Sequence, residues 1–267
     1  EVTNFMKDRW AGTVGYAESN VNWLRFGRSC KKKLTSEWAV ATIVTSQIPY
    51  ATGEKAYQPG GTCTVTTGNS VGRITNQGED ASGLGRWSYV QKEGRRNAKI
   101  TIITAYCPQN GRIDTARPAT VFSQQYHVLR RQGVILPNPN KQFWQDMTAF
   151  IQALKKDGEQ VFLMLDANDH TGDNHSQMAK LLAMCGMVDI HIAKHGTEGE
   201  PATYNRGTKR IDYMACTVGL VKFFDKAAGI DPFGPSDHRS LFADFNEKGF
   251  FQSLPPSIPG PKARQIK

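Results

Sequence analysis

Two strand-like runs constrain this chain most, because each stops at residues that carry chemistry. AKITIITAY at 98–106 has the β-branched, apolar content of a buried strand and is ended by Pro108, and VFLML at 161–165 reads as a second. The first leads into CPQNGR at 107–112 and the second into DANDH at 166–170. KRID at 209–212 opens a strand predicted near 211–216, and SDH at 236–238 precedes another at 240–245, SLFADF. Carboxylates, an amide and an imidazole therefore collect at strand ends. That grouping suits a divalent ion holding a phosphate.

The remaining elements follow from pattern. AVATIVT at 39–45 and GGTCTVTTG at 60–68 read as strands, and WSYVQ at 87–91 alternates like a half-exposed one. The basic EGRR before residue 98 reads as a hairpin connection. Four strands in succession predict an antiparallel sheet rather than a βαβ array. Helices are predicted at 120–131, at 141–156 and near 175–185. In the second, Phe143, Met147, Phe150, Ile151 and Leu154 recur at three and four, with Asn140 as N-cap and Gly158 as the stop.

At 267 residues the chain can form one large domain or two small ones, with 39% hydrophobic content to fill a core. No apolar run is long enough to span a bilayer, so no membrane partner is expected. EVTNFMKDRW lacks the pattern of a signal peptide, although a chain beginning mid-domain would hide one. The net charge of +9, from 33 Lys plus Arg against 24 Asp plus Glu, favours polyanions but specifies none. It is concentrated at Arg28 and Lys31 to Lys33, at Lys92 to Lys99, and at Arg206 to Arg210. Five scattered cysteines with no CxxC pair argue against a thiolate zinc site and for a reduced, intracellular protein. A domain is expected over 1–250. The proline-rich, basic 251–267 reads as a linker or tail that joins a further domain.

Each candidate residue has a plainer reading. Asp166 and Asn168 would share a face if their strand continued, yet an isolated Asp-x-Asn is more often an Asx-turn. Asp169 and His170 point elsewhere. His238 could donate to a phosphoryl oxygen with Asp212 fixing its tautomer, but alone it would be an exposed turn histidine. Asp212 alone would be a surface partner of Arg210. Glu18 offers the oxygen a hard cation needs, and otherwise reads as a cap or surface residue. Tyr106 closes the first strand, where a phenol can reach substrate or simply pack, and Trp10 and Trp87 share that ambiguity.

Together, YAE at 16–18, PGGT at 59–62, ITAYCPQNGR at 103–112, LDAND at 165–169, ATY at 202–204, KRIDY at 209–213 and SDHRSL at 236–241 resemble the endonuclease/exonuclease/phosphatase superfamily, in order, over most of the chain. The resemblance implies a four-layered α/β sandwich, with two mostly antiparallel sheets packed face to face and helices outside. It makes Glu18 the metal-binding glutamate, although Tyr16 and Ala17 replace the residues usual before it. It makes Asp166 the group that orients or deprotonates the attacking water, Asn168 its partner, His238 the catalytic histidine, Asp212 the aspartate paired with it, and Asp237 a metal-associated neighbour. Tyr106 and Gln109 stand where abasic endonucleases contact phosphate and DNA. Arg112 resembles a DNA-proximal arginine, and Lys209 and Arg210 are expected at the nucleic acid as well.

The chemistry implied is phosphodiester hydrolysis with Mg²⁺, for which Mn²⁺ would substitute, and the partner expected is DNA. The overall pattern looks most like endonuclease domains of retroelement or virus-like polyproteins, with a nuclear location for that reading. Alternatives of the same fold are a phosphoinositide or sphingomyelin phosphohydrolase and a catalytically inactive nucleic-acid-binding domain. The family's opening strand, ending in an asparagine, has no counterpart ahead of Glu18, and Asn4 is not in that context. Either the asparagine is missing or the chain has been cut ahead of Glu1; a missing asparagine favours the inactive reading, and the five retained polar residues oppose it.

Overall fold

The structure is a computed structural model that describes residues 11–36, 38–49, 56–114, 119–197, 200–225, 228–231 and 236–253. Asn4, Trp10 and the expected tail beyond residue 253 lie outside these. Strands β1 (Thr13–Tyr16), β2 (Ala41–Ser46) and β3 (Thr62–Thr67) form a sheet in the order β1-β3-β2, antiparallel throughout. A second sheet joins β4 (Ile74–Glu79), β5 (Trp87–Glu93), β6 (Lys99–Tyr106), β7 (Gln160–Asp166), β8 (Met187–Asp189) and β9 (Asp212–Thr217) in the order β4-β5-β6-β7-β9-β8. Only its β6–β7 pair is parallel. Helices α1 (Trp23–Thr35), α2 (Val121–Arg131), α3 (Pro139–Lys156), α4 (Gln177–Cys185), α5 (Ile190–His195) and α6 (Glu247–Phe251) and a ribbon of β10 (Gly229–Asp231) and β11 (Ser240–Phe242) complete the described elements.

Period-two alternation makes the layers. In β3, Cys63 and Val65 pack with Trp23 of α1, while Thr62, Thr64 and Thr66 are buried toward the large sheet. In β5, β6, β7 and β9 the odd-numbered apolar residues meet α3 and α4, as Ile103, Leu163 and Ala215 meet Phe143, Met147 and Met178. The even-numbered ones face the other way, as Ile102, Met164 and Met214 do. The result is helix, small sheet, large sheet, helices: the expected four-layered sandwich.

The space between the sheets is lined largely by hydroxyls. Thr64 Oγ1 donates to Thr104 Oγ1 at 2.8 Å and lies 2.9 Å from Ser88 Oγ, and Thr62 Oγ1 donates to Ser88 Oγ at 3.1 Å. Buried hydroxyls need such partners, each bond netting about 1 kcal/mol. Gly15 lets β1 come close, since a Cβ there would lie 2.5 Å from Thr104 Oγ1.

Several expectations are corrected. The four successive strands do not share a sheet: those at 39–45 and 60–68 belong to the small one, and those at 87–91 and 98–106 to the large one. Ser88 is not half exposed but buried by the hydroxyl contacts. The N-cap of α3 is Asn138, whose Oδ1 accepts from Lys141 N, because Pro139 occupies the first turn. The last predicted strand stops at Phe242. Phe251 is fully buried and Arg73 donates to the Ser253 carbonyl, so the folded unit passes residue 250. Among the described residues no helix is long and apolar enough to cross a membrane. All five cysteines are free.

Candidate active site

Strand register builds the site. Tyr106 is paired with Asp166 across β6–β7, and Asp166 with Asp212 across β7–β9. Directly opposed residues point to one face with Cβ atoms about 5 Å apart. All three are even-numbered, so that face is the one turned toward the small sheet. Strand β1, held against β6 through Gly15, delivers Glu18 to the same end. Glu18 hydrogen-bonds Tyr106 and Asn20 and interacts electrostatically with His238 and Asp237. Glu18 and Asn20 both have positive φ, 49° and 53°. Strained backbone of this kind persists where its surroundings fix it.

His238 reaches the site from the chain before β11. Its Nδ1 lies 2.9 Å from Asp212 Oδ2, and this bond raises the imidazole to about 9 against the opposing effect of burial. The ring is therefore cationic at neutral pH. Its backbone is held by a bridge to Tyr204, whose ring lies 5.0 Å from the imidazole. Thr203 Oγ1 accepts from the amides of Ile211 and Asp212, and Arg239 N donates to the Thr203 carbonyl at 2.7 Å. Residues 203–204 therefore align both halves of the His–Asp pair. The sequence offered only the ATY match at this position and no role for Tyr204.

Burial, then the neighbouring Asp212, hold the Asp166 carboxyl well above its ordinary range. Burial also raises Glu18. Asp166, Asp212 and His238 each offer a ligand atom within 4.8 Å of the others. The carboxylate oxygens of Asp166 and Asp212, with Glu18 beside Asp166, fit a hard divalent cation, which would relieve their mutual repulsion, while the cationic His238 ring stands next to them. Burial and the adjacent Glu18 and Asp166 raise the Tyr106 phenol, so it stays a neutral donor.

Asn168 does not share a face with Asp166 by strand alternation. The strand ends at Asp166, whose Oδ1 accepts from Asn168 N at 3.2 Å, and Asn168 turns to φ 47°. This is the Asx-turn. Its amide bridges to the β6 loop, donating to the Cys107 carbonyl at 2.9 Å and accepting from Gln109 Nε2 at 2.8 Å. Asp169 caps α4 through Ser176 Oγ and Met178 N. His170 Nδ1 contacts the Arg210 carbonyl.

Of the expected nucleic-acid contacts, Gln109 and Arg112 are exposed on the loop beside the site. Lys209 is exposed and paired with Asp173 at 2.6 Å. Arg210 is a correction. Its side chain is fully buried, donates to Asp189 and Glu200, and lies 4.4 Å from the Tyr213 ring centre. It ties the chain just ahead of β9 to the end of β8 and meets no solvent. Asp237 is exposed at the rim beside His238.

No family model and no curated protein matches the chain. Solved structures do. An AP endonuclease from Archaeoglobus fulgidus superposes with a TM-score of 0.62 at 15% identity, over 92% of this chain and 93% of that one. A 3'-5' exonuclease from Neisseria meningitidis gives 0.62 at 16% identity, over 92% and 93%. An endonuclease/exonuclease/phosphatase family protein from Leptotrichia buccalis gives 0.52 at 12% identity, over 91% and 90%. The chain has the fold of the endonuclease/exonuclease/phosphatase superfamily.

Proposed function

We propose that this chain is a metal-dependent phosphodiesterase that nicks DNA. The observation that carries the reading is the in-register row Tyr106, Asp166, Asp212, met by Glu18 from the other sheet and by His238 bonded to Asp212. A histidine held by a carboxylate beside an acidic, cation-fitting cluster is the apparatus of phosphoryl hydrolysis. The superposed AP endonuclease and exonuclease point the same way.

Glu18 and Asp166 would hold the cation, with Asp237 at the rim. Hard oxygen donors favour Mg²⁺, with Mn²⁺ as a substitute. The bound ion would neutralise phosphate oxygens and stabilise the leaving oxygen. Asp166 would orient the attacking water in line. His238, its Nδ1 committed to Asp212, would donate from Nε2 to a non-bridging oxygen as charge builds. Tyr106 would add a phenolic donor. The Asn168–Gln109 bridge would keep the β6 loop at the scissile phosphate. A net charge of +9 supports a polyanionic substrate.

Incubation with supercoiled plasmid in Mg²⁺ should produce nicked circles, and EDTA should abolish them. Wild-type-like nicking by an Asp212→Ala, His238→Ala double variant rejects this assignment of the site.

A further inference from the structure

Two large apolar side chains stand side by side in solvent: Ile135 at 83% exposure and Leu136 at 85%. They form the tip of the connection between α2 and α3. The tip is ordered by its flanks. Gly133 N and Val134 N close the end of α2 on the carbonyls of Arg130 and Leu129, and Pro137 and Pro139 are buried on the other side. Leu136 has φ 52°, a conformation a branched residue adopts only when its surroundings impose it.

The tip is tethered close to the loop beside the site. Asn140 Nδ2, at the start of α3, donates to the Pro108 carbonyl at 2.9 Å and to Cys107 Sγ at 3.2 Å. The Cys107 carbonyl in turn accepts from Asn168. Leu136 is four residues from Asn140, a span of about 14 Å at full extension. Within six residues of it in the chain, Arg130, Arg131 and Lys141 are exposed, as is Arg112 on the loop that Asn140 contacts. No acidic residue occurs between His127 and Gln145. An apolar point in a basic collar beside a phosphodiester site is complementary to duplex DNA, which presents phosphates outside and an apolar stack within. A protein partner of ordinary surface chemistry would not call for that collar.

We infer that Ile135 and Leu136 are a wedge that enters the base stack of duplex DNA next to the scissile phosphate, while the surrounding arginines and lysine hold the backbone. The inference rests on the DNA-directed reading above and deepens it. Insertion would unstack a single base step and bend the duplex toward the site, so the wedge sets a preference for deformable steps.

The test compares wild type with an Ile135→Ser, Leu136→Ser variant. Both side chains are exposed, so the melting temperature should not fall. Three readouts apply: affinity for a duplex in Ca²⁺ across a salt series, fluorescence of 2-aminopurine in that duplex, and hydrolysis of bis(p-nitrophenyl) phosphate in Mg²⁺. The variant should bind about 10-fold more weakly with the same salt slope, because no phosphate contact is lost. It should lose the rise in 2-aminopurine fluorescence and hydrolyse the small diester normally. Unchanged affinity and fluorescence overturn the wedge. So does loss of a wild-type dimer in the variant with DNA binding intact, which would make the tip a protein contact. Unstacking by wild type without hydrolysis of either substrate would keep the wedge and remove the hydrolase reading.

Discussion

The space between the two sheets holds buried ionisable groups at both ends, and the ends are balanced in opposite ways. At the far end, Lys92 Nζ donates to Thr13 Oγ1 at 2.8 Å and to Ser70 Oγ at 2.5 Å, and lies 3.7 Å from Glu247. Arg73 joins the same carboxylate at 3.8 Å and covers the Phe251 ring. Cations and anion answer one another there, and the hydroxyls of Thr13 and Ser70 accept from Lys92. At the site end, Glu18, Asp166 and Asp212 converge with His238 as the one cationic ring; burial holds Glu18 and Asp166 up, and the neighbouring Asp212 adds to it at Asp166. One end locks the sheets together, whereas the other is left short of positive charge. That imbalance leaves the site end able to take up a cation.

The sharpest separation of the ends is kinetic. His238→Ala should reduce hydrolysis by about 10²–10⁴-fold in steady-state assays, with little change in melting temperature. Lys92→Met should leave the rate unchanged. Loss of activity in both would mean that the far end is not merely structural.

Lys92 supplies the next effect. Burial lowers its ammonium from 10.5 to about 8. Below pH 8 the folded protein bears the full cost of a buried charge. Between pH 8 and 10.5 the unfolded chain still binds a proton that the fold has released, so stability rises with pH over that window. Relative to Lys92→Met, wild type should gain up to about 3 kcal/mol across it, read by urea unfolding.

Divalent cations should act only at the other end. Mg²⁺ at about a hundred times its dissociation constant should stabilise wild type by about 2.7 kcal/mol in thermal melts. Glu18→Gln should lose most of that gain and Lys92→Met none of it. The smallest effect has an instructive sign. In EDTA, Asp166→Asn should be more stable than wild type by about 1 kcal/mol, because it removes a crowded acid and keeps the acceptor for Asn168 N, while hydrolysis is lost.

How much of this the sequence held depends on the residue. Strands β6 and β7 were legible because buried β-branched runs ending in Pro108 and Asp166 admit few other readings. The row Tyr106, Asp166, Asp212 followed from them once Asp212 was placed at a strand start. Strand β4 was missed because TNQGE is polar and offers no periodicity. Helix α1 was missed because WLRFGRSCKKKLT reads first as a charge cluster, although Trp23, Cys30 and Leu34 face the small sheet. The split of four successive strands between two sheets is set by tertiary packing, which adjacency in sequence does not encode. Lys209 and Arg210 show the same limit at one residue's scale. Neighbouring basic side chains point to opposite sides, and only the fold decides that Arg210 meets Asp189 rather than solvent. Tyr204 lacked any signal of its own, since its role exists only where the chain returns beside His238.

The most direct measurement is the binding of Mn²⁺ followed by its electron paramagnetic resonance signal, in parallel with plasmid nicking. Wild type and Lys92→Met should each take up the ion and cut, whereas Glu18→Gln and Asp166→Asn should lose both. Full Mn²⁺ uptake and full nicking in the two acid variants would contradict the assignment of the strand-end cluster as the hydrolytic centre.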